Sequence, residues 1–390
     1  MSEMVPKIRF QGFTDAWEQR KLSDLADHRG GTAIEKYFEK DGKYKVISIG
    51  SYGLDSKYVD QNIRAVSNEV TDGRVVRAGE LTMVLNDKTA NGTIIGRTLL
   101  IEQDNEYVIN QRTEIISPKE NFNADFAYTL LNGPFREKVK RIVQGGTQIY
   151  VNYPAVSNLD VGIPNIQEQQ KIGSFFKQLD NIITLHQRKL DLLKEQKRGF
   201  LKKMFPKEGE LVPEVRFSGF TDNWKESILE HIVSINSGRD YKHLKNGDIP
   251  VYGTGGYMLS VNEALSEKDA IGIGRKGTIN RPYILRSPFW TVDTLFFAIP
   301  KQENDLYFLN AVFQKVNWQK YDESTGVPSL SKAVINKVAV TVPRTEEQQK
   351  IGNYFMKLDD FISLLQNKID LLNEQKKGFL NKMFTHNFFG

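Results

Sequence analysis

Two stretches of this chain are written twice. "VPKIRFQGFTDAW" (5–17) returns as "VPEVRFSGFTDNW" (212–224), and "EQQKIG" (168–173) returns at 347–352. The second repeat runs on to "QKRGFLKKMF" (196–205) and "QKKGFLNKMF" (375–384). Self-similarity of this kind means one structural unit used more than once. The offset between copies differs for the two repeats, so they flank two inserts of unequal length. The first repeat fades through Leu22/Leu229, Leu25/Ile232 and Gly31/Gly238, and beyond it the inserts share little sequence. The pattern predicts one mount, used twice, carrying two different heads.

The later repeat reads as helix. Ile172, Phe176, Leu179, Ile183, Leu190, Leu193, Phe200 and Met204 recur in steps of four and three, broken at His186 and Lys197. Ile351, Phe355, Leu358, Ile362, Leu365, Ile369, Leu372, Phe379 and Met383 keep the same phase, broken at Lys376. A 3.5-residue period held over more than four heptads is a coiled-coil seam. A helix over 172–204 runs roughly 50 Å. Pro164 and Pro343 mark the entries and Pro206 closes the first helix. Two equal stripes need a partner, and each is the other's simplest one. Antiparallel pairing also sets the acidic start "TEEQQ" (345–349) beside the basic end "KRGFLKK" (197–203).

The inserts differ in character. "YKVISIGSYG", "LTMVLND", "TIIGRTLLI" and "YVINQRTEIIS" in the first are short β-rich runs cut by turn residues. So are "IPVYGTGG", "AIGIGRKGTIN", "PYILRSPFWTV" and "TLFFAIP" in the second. One helical piece follows in each, around 123–142 and 304–316. The expected fold class is α+β: two mixed, mainly β heads separated by two long repeated helices in an antiparallel coiled coil, with a pseudo-two-fold internal repeat. The expected segments are a first head at 1–163, a first helix at 164–206, a second head at 207–342 and a second helix at 343–390.

Chemistry is harder to find than architecture. The chain has no cysteine, which excludes a disulfide framework, a thiolate zinc site and a cysteine nucleophile. No run reaches the ~18 apolar residues of a membrane span, and the N-terminus has no signal-peptide core, so a cytoplasmic protein is expected. The five histidines, His28, His186, His231, His243 and His386, lack metal-ligand spacing. "GIGRKG" (272–277) formally matches a dinucleotide fingerprint, but it leads into "TINRPYI", which resists the helix that such a site needs. Arg275–Lys276 reads instead as a hairpin tip between strands, either a solvated turn or a basic fingertip for phosphate or a guanine edge. Phe10, Phe13 and Trp17 could stack bases, but they recur in both halves, whereas discriminating parts should differ. Core or docking packing is the better reading. A net charge of +5 suits a polyanionic partner. From the residues alone the chain is a binder, either a nucleic-acid reader or a coiled-coil scaffold whose two heads take proteins or glycans.

The repeated "RFxGFTDxW", "P…EQQKIGxxFxxLDxxI" and "LLxEQKxGFLxKMF", framing two dissimilar β-rich inserts, resemble the specificity subunit of type I restriction–modification systems. "VYGTGG" (251–256), "GRKGTI" (274–279) and "FWTVDTLFF" (289–297) are similar to strings of that family's target-recognition domains, whereas "VLNDKTANGTIIGRTL" (84–99) matches only loosely. The resemblance implies that each head reads one half of a bipartite site on double-stranded DNA and that the chain itself catalyses nothing. It also implies two modification (methyltransferase) subunits using S-adenosylmethionine, and two restriction subunits with ATP-driven translocation and Mg2+-dependent cleavage. No cofactor is expected on this chain, and no membrane. A related system with methylation and cleavage on one polypeptide stays open. Base readers combine cations with Asn, Gln, Ser, Thr and Tyr. Those expected are Asn86, Lys88, Arg97, Thr147, Gln148 and Tyr150 in the first head, and Tyr252, Thr254, Arg275, Lys276, Ser324 and Thr325 in the second.

Overall fold

The computed structural model describes residues 5–384; His386 and the outermost residues of both termini lie outside that range. Among the described residues the chain divides into two compact units. One runs to Leu185 and resumes at Ile369, and the other is His186–Lys368.

In the first unit, strands Ala26–Gly30, Thr113–Pro118, Leu81–Val84 and Thr98–Leu100 form an antiparallel sheet in that order. "LTMV" is apolar almost throughout because both faces of its strand are covered. Leu81 and Met83 face the main core with helix Ala124–Asn132, while Val84 packs with Ile47, Val76 and Ile109. A second sheet centres on Tyr44–Ile47, paired parallel with Tyr107–Ile109. The expected helix over 123–142 is two helices, because Gly133 and Pro134 break it into Ala124–Asn132 and Pro134–Arg141.

The second unit repeats the plan. Val233–Ser237, Leu295–Pro300, Ala270–Gly274 and Tyr283–Leu285 form its sheet in the same order, and Asn246–Gly253 pairs parallel with Trp290–Thr291. The two dissimilar inserts therefore share the main-sheet order and one parallel pairing, although the first carries additional strands. Gly31 and Gly238 show why that residue survives in both. A Cβ on either would lie 1.9 Å from a backbone carbonyl, of Asn110 or of Val292, so no side chain fits.

The repeated sequences meet one another in each unit. Arg9 donates through Nε and a terminal nitrogen to Glu168 (2.9 and 2.7 Å), and Arg216 grips Glu347 in the same way (2.7 and 2.7 Å). Both carboxylates are fully buried. The next residues, Gln169 and Gln348, accept from the N–H of Asn123 and Asp305 and donate to the carbonyls of Pro164 and Pro343. Trp17 packs edge-on against Phe126 and Phe384, and Trp224 against Phe308 and Phe205. The aromatic motif is thus docking and core. "EQQKIG" is the socket that receives "RFxGFTDxW".

The long helices span Ile166–Lys203 and Thr345–Met383. In the first unit Asp180 pairs with Lys376 at 2.6 Å, Phe175 meets Phe379, and Phe176 meets Phe384, so the helices run antiparallel. In the second, Lys197 pairs with Asp359 and Phe200 meets Tyr354. The polar breaks at Lys197 and Lys376 are therefore ion pairs between helices. All the seam residues are buried or half-buried: Ile172, Phe176, Leu179, Ile183, Leu190 and Leu193 on one helix, Ile351, Phe355, Leu358, Ile362, Leu365, Ile369 and Leu372 on the other. The antiparallel direction stands, but the expected partners do not. Glu347 is committed to Arg216 and Lys203 pairs with Glu214, and the lysine of the basic end that reaches the other helix, Lys197, meets Asp359 rather than the acidic start. The end of each helix closes the core that begins the other: Met383 and Phe384 lie in the first unit's core, Met204 and Phe205 in the second's.

Candidate functional site

In each unit several loops converge at one corner of the main sheet, and matching backbone hydrogen bonds define it. Leu85 N–H donates to the Arg112 carbonyl (3.0 Å), as Arg275 N–H does to Thr294 (2.8 Å). Val151 N–H donates to Leu85, as Leu330 does to Arg275, and Asn110 donates to Ile47, as Val292 does to Tyr252. The corner is thus built from the exit of the Leu81–Val84 or Ala270–Gly274 strand, the turn before the next sheet strand, and the segment returning toward the mount.

At the first corner, Asn86–Asp87, Ile149–Tyr150 and Gln144–Gly145 form a small sheet, with Asn86 opposite Tyr150. It brings together five of the six residues expected in this head: Asn86, Lys88, Thr147, Gln148 and Tyr150. All of these except half-buried Asn86 are exposed. Asp87 holds the loop that carries Lys88. Burial works to raise its carboxyl, but the N–H groups of Ile94 and Thr89 and the Thr89 hydroxyl outweigh that and keep it below the usual carboxylate range. Arg97 differs from the other five. Its guanidinium is half-buried and donates to the Thr93 carbonyl and the Ser56 hydroxyl, each at 2.9 Å, and burial pushes its pKa down. It serves the loop from inside.

At the second corner, Arg275 and Lys276 are exposed, but not at a hairpin tip. The chain leaves its strand at Gly274 and rejoins the sheet only at Tyr283, and between them Lys276 bridges to Ser329. The backbone is pinned by Arg275 N–H to Thr294 and Gly277 N–H to Pro328, so two exposed cations stand on a fixed strip. The Arg275 guanidinium also donates to the Asp293 carbonyl at 3.3 Å. Asp322 accepts from the N–H of Ser329, the N–H of Ser324 and the Ser324 hydroxyl, which lowers its pKa and leaves Thr325 exposed on the loop it holds. Tyr252 and Thr254 enter the Asn246–Gly253/Gly256–Val261 hairpin, where a register shift at Val251/Tyr252 re-aims the strand. The sequence reading missed Tyr257 and Met258, which stand exposed beyond that hairpin's turn, and Arg112 at the first corner. A polar break, Asn110–Gln111–Arg112, between two β runs was the signal for Arg112.

Among the described residues no helix is long and apolar enough to cross a membrane, and no group of three histidine or acidic side chains could hold a metal ion.

The family model for the type I restriction modification DNA specificity domain matches the chain twice, over residues 14–195 and 221–374. The MjaVIII specificity subunit, a type I restriction enzyme subunit of Methanocaldococcus jannaschii, is 20% identical, the match covering 95% of this chain and 92% of that one. The S subunit of a type I restriction-modification system from M. genitalium shares the fold with a TM-score of 0.75 at 18% identity, covering 98% of this chain and 99% of that one. A chain from a structure describing complex assembly and conformational transition of the type I system aligns with a TM-score of 0.51 at 14% identity over 95% and 98% of the two chains.

Proposed function

Because this chain belongs to the type I restriction–modification DNA specificity family, we propose that it is the subunit by which such a complex chooses its DNA. Each head reads one half of a bipartite, asymmetric duplex site, and the paired helices set the gap between the halves. One observation carries this reading: two heads of unlike sequence build the same corner and furnish it with different polar and cationic side chains. Unrelated residues on one scaffold are what two unrelated half-sites require, since major-groove edges distinguish all four base pairs.

The helices also dock the two modification subunits. Ile182, Leu185 and Leu371 in the first unit, and Leu192, Phe361 and Leu364 in the second, are large apolar side chains left exposed, Leu185 at 66% and Leu364 at 62%. They occupy the same three positions of each helix repeat, off the seam, and exposed apolar faces of this kind mark protein contacts. S-adenosylmethionine, ATP and Mg2+ then act on the modification and restriction subunits, two of each, in the cytoplasm, and this chain supplies specificity without catalysis. Adenine methylation takes the base out of the stack, so a separate reader holding the duplex is chemically sensible.

The test is binding of the purified chain, with any methyltransferase that co-purifies, to duplex DNA across a salt series. Affinity should fall linearly in log–log form with salt. Binding that is absent at low salt, or that ignores salt, removes the DNA reading in favour of a protein- or glycan-binding scaffold. Within the second head, Arg275→Ala should cost ~1–3 kcal/mol and relax preference at one base pair. Lys276→Ala should weaken all sequences alike and reduce the salt slope by about one. Unchanged affinity in both variants would make that strip an ordinary solvated turn.

A further inference from the structure

The two corners are alike in backbone, yet Arg275 has no arginine counterpart in the first. The residue at its position, making the same two backbone hydrogen bonds, is Leu85, which is buried. The neighbouring strip supplies a guanidinium instead. Arg112 stands where the second corner has Thr294, its carbonyl accepting the Leu85 N–H as that of Thr294 accepts the Arg275 N–H. It is exposed, and its φ of 63° lies in the left-handed region, which few non-glycine residues adopt and which carries strain. Asn86, in the amide orientation that satisfies both its ends, donates to the Leu85 carbonyl at 3.2 Å and accepts from the Arg112 guanidinium at 3.1 Å. The guanidinium is therefore steered from the side, as Arg275 is by the Asp293 carbonyl, and Arg112 remains exposed at the corner where Asn86 pairs with Tyr150.

We propose that Arg112 is the guanine-reading residue of the first half-site, with Asn86 as its positioning residue. This rests on the DNA reading above. A guanidinium's paired donors match guanine O6 and N7. They can also grip a phosphate in pairs, but this guanidinium is steered by the corner that carries the other base-reading side chains, which favours a base edge. The same task is then done from two different strips of one scaffold. That would explain why the 84–99 segment of the first head matches the family's target-recognition pattern only loosely while the corner is retained.

The experiment selects bound duplexes from a randomised library, using the full chain in the complex in which it purifies, for the wild type and for Arg112→Ala, Arg112→Lys and Asn86→Ala. Thermal unfolding of each variant is measured alongside. Arg112→Ala should erase preference at one G·C pair of the first half-site, with affinity for that site falling roughly 5- to 150-fold, the worth of a bidentate base contact. The second half-site should be unaltered and the unfolding temperature unchanged. Arg112→Lys should not restore the preference, and Asn86→Ala should weaken it at the same base pair. Uniform weakening rescued by lysine would make Arg112 a phosphate contact and overturn the proposal while leaving DNA recognition intact. An unaltered motif overturns it as well. A wild-type chain that enriches no motif removes the DNA reading and this proposal together.

Discussion

Glu168→Ala should destabilise the first unit by about 3–5 kcal/mol, the cost of breaking one partner out of a buried ion pair. The carboxylate is 0% exposed and accepts two charge-assisted hydrogen bonds from Arg9, whose side chain is itself nearly buried. With the carboxylate gone, the guanidinium keeps its bond to the Asp15 carbonyl but has only the unbonded Asp15 carboxylate as counter-charge and little water. Glu168 also lies in the first turn of the long helix, where a negative charge meets the positive end of the helix dipole. Glu347→Ala should do the same to the second unit through Arg216. Two-state behaviour is not assumed for a chain of two units. The measurement is therefore a denaturant titration followed by hydrogen exchange, which reports each unit separately. Replacing both members, as Arg9→Met with Glu168→Leu, should cost much less than Glu168→Ala, because the penalty comes from the orphaned charge. A loss below ~1 kcal/mol for Glu168→Ala would mean that the pair is solvated and the socket is held by its aromatics.

This clamp also marks how far the sequence could be read. The seam was legible because a 3.5-residue period is local and both copies keep it. Two of its exceptions, Lys197 and Lys376, fall at the same place in each repeat, while His186 stands where the second copy keeps Leu365. That Arg9 belongs to Glu168 was not legible, because the two are far apart in the chain and either motif alone resembles ordinary surface polarity. The charge argument for the antiparallel direction reached the right direction with the wrong partners, since it weighed net charge at helix ends and had no view of Arg216 or Glu214. The shared topology of the heads was hidden for a related reason. A sheet order is carried by backbone bonds, and these tolerate almost any side chain except at close approaches such as Gly31 and Gly238. At the first corner, composition selected most of the exposed polar residues. It also selected Arg97, whose guanidinium is half-buried, and passed over Arg112, because burial is not written in the sequence and the polar break at 110–112 reads like any other turn.

Transplanting residues 26–158 in place of 233–337, so that both mounts carry the first head, should yield a protein that selects the first half-site twice. The junctions are chosen from matching backbone bonds. Leu22 N–H donates to Leu159 and Leu229 N–H to Val338, so each cut falls just inside a contact that the host mount retains. Strands Glu18–Lys21 with Asp160–Ile163, and Lys225–Ile228 with Ala339–Val342, stay with their own mounts. The aromatic and Arg–Glu contacts outside the exchanged segment also stay, apart from those made by the longest helix within each exchanged segment, Ala124–Asn132 and Leu306–Lys315. These travel with the insert, and they present Phe126 or Phe308 to the tryptophan and an N-cap, Asn123 or Asp305, to the same glycine, Gly173 or Gly352. The graft therefore meets an equivalent surface. Affinity for the original asymmetric site should collapse, since two lost base-pair contacts alone are worth about 2–6 kcal/mol, at least thirtyfold. Selection from randomised duplexes reads the outcome directly, including the relative orientation of the two copies. If the chimera folds and still enriches any part of the second half-site, recognition is not confined to the exchanged segment and the mounts take part in reading. If it folds and enriches neither half, the two heads depend on each other, and the picture of independent readers on equivalent mounts is wrong.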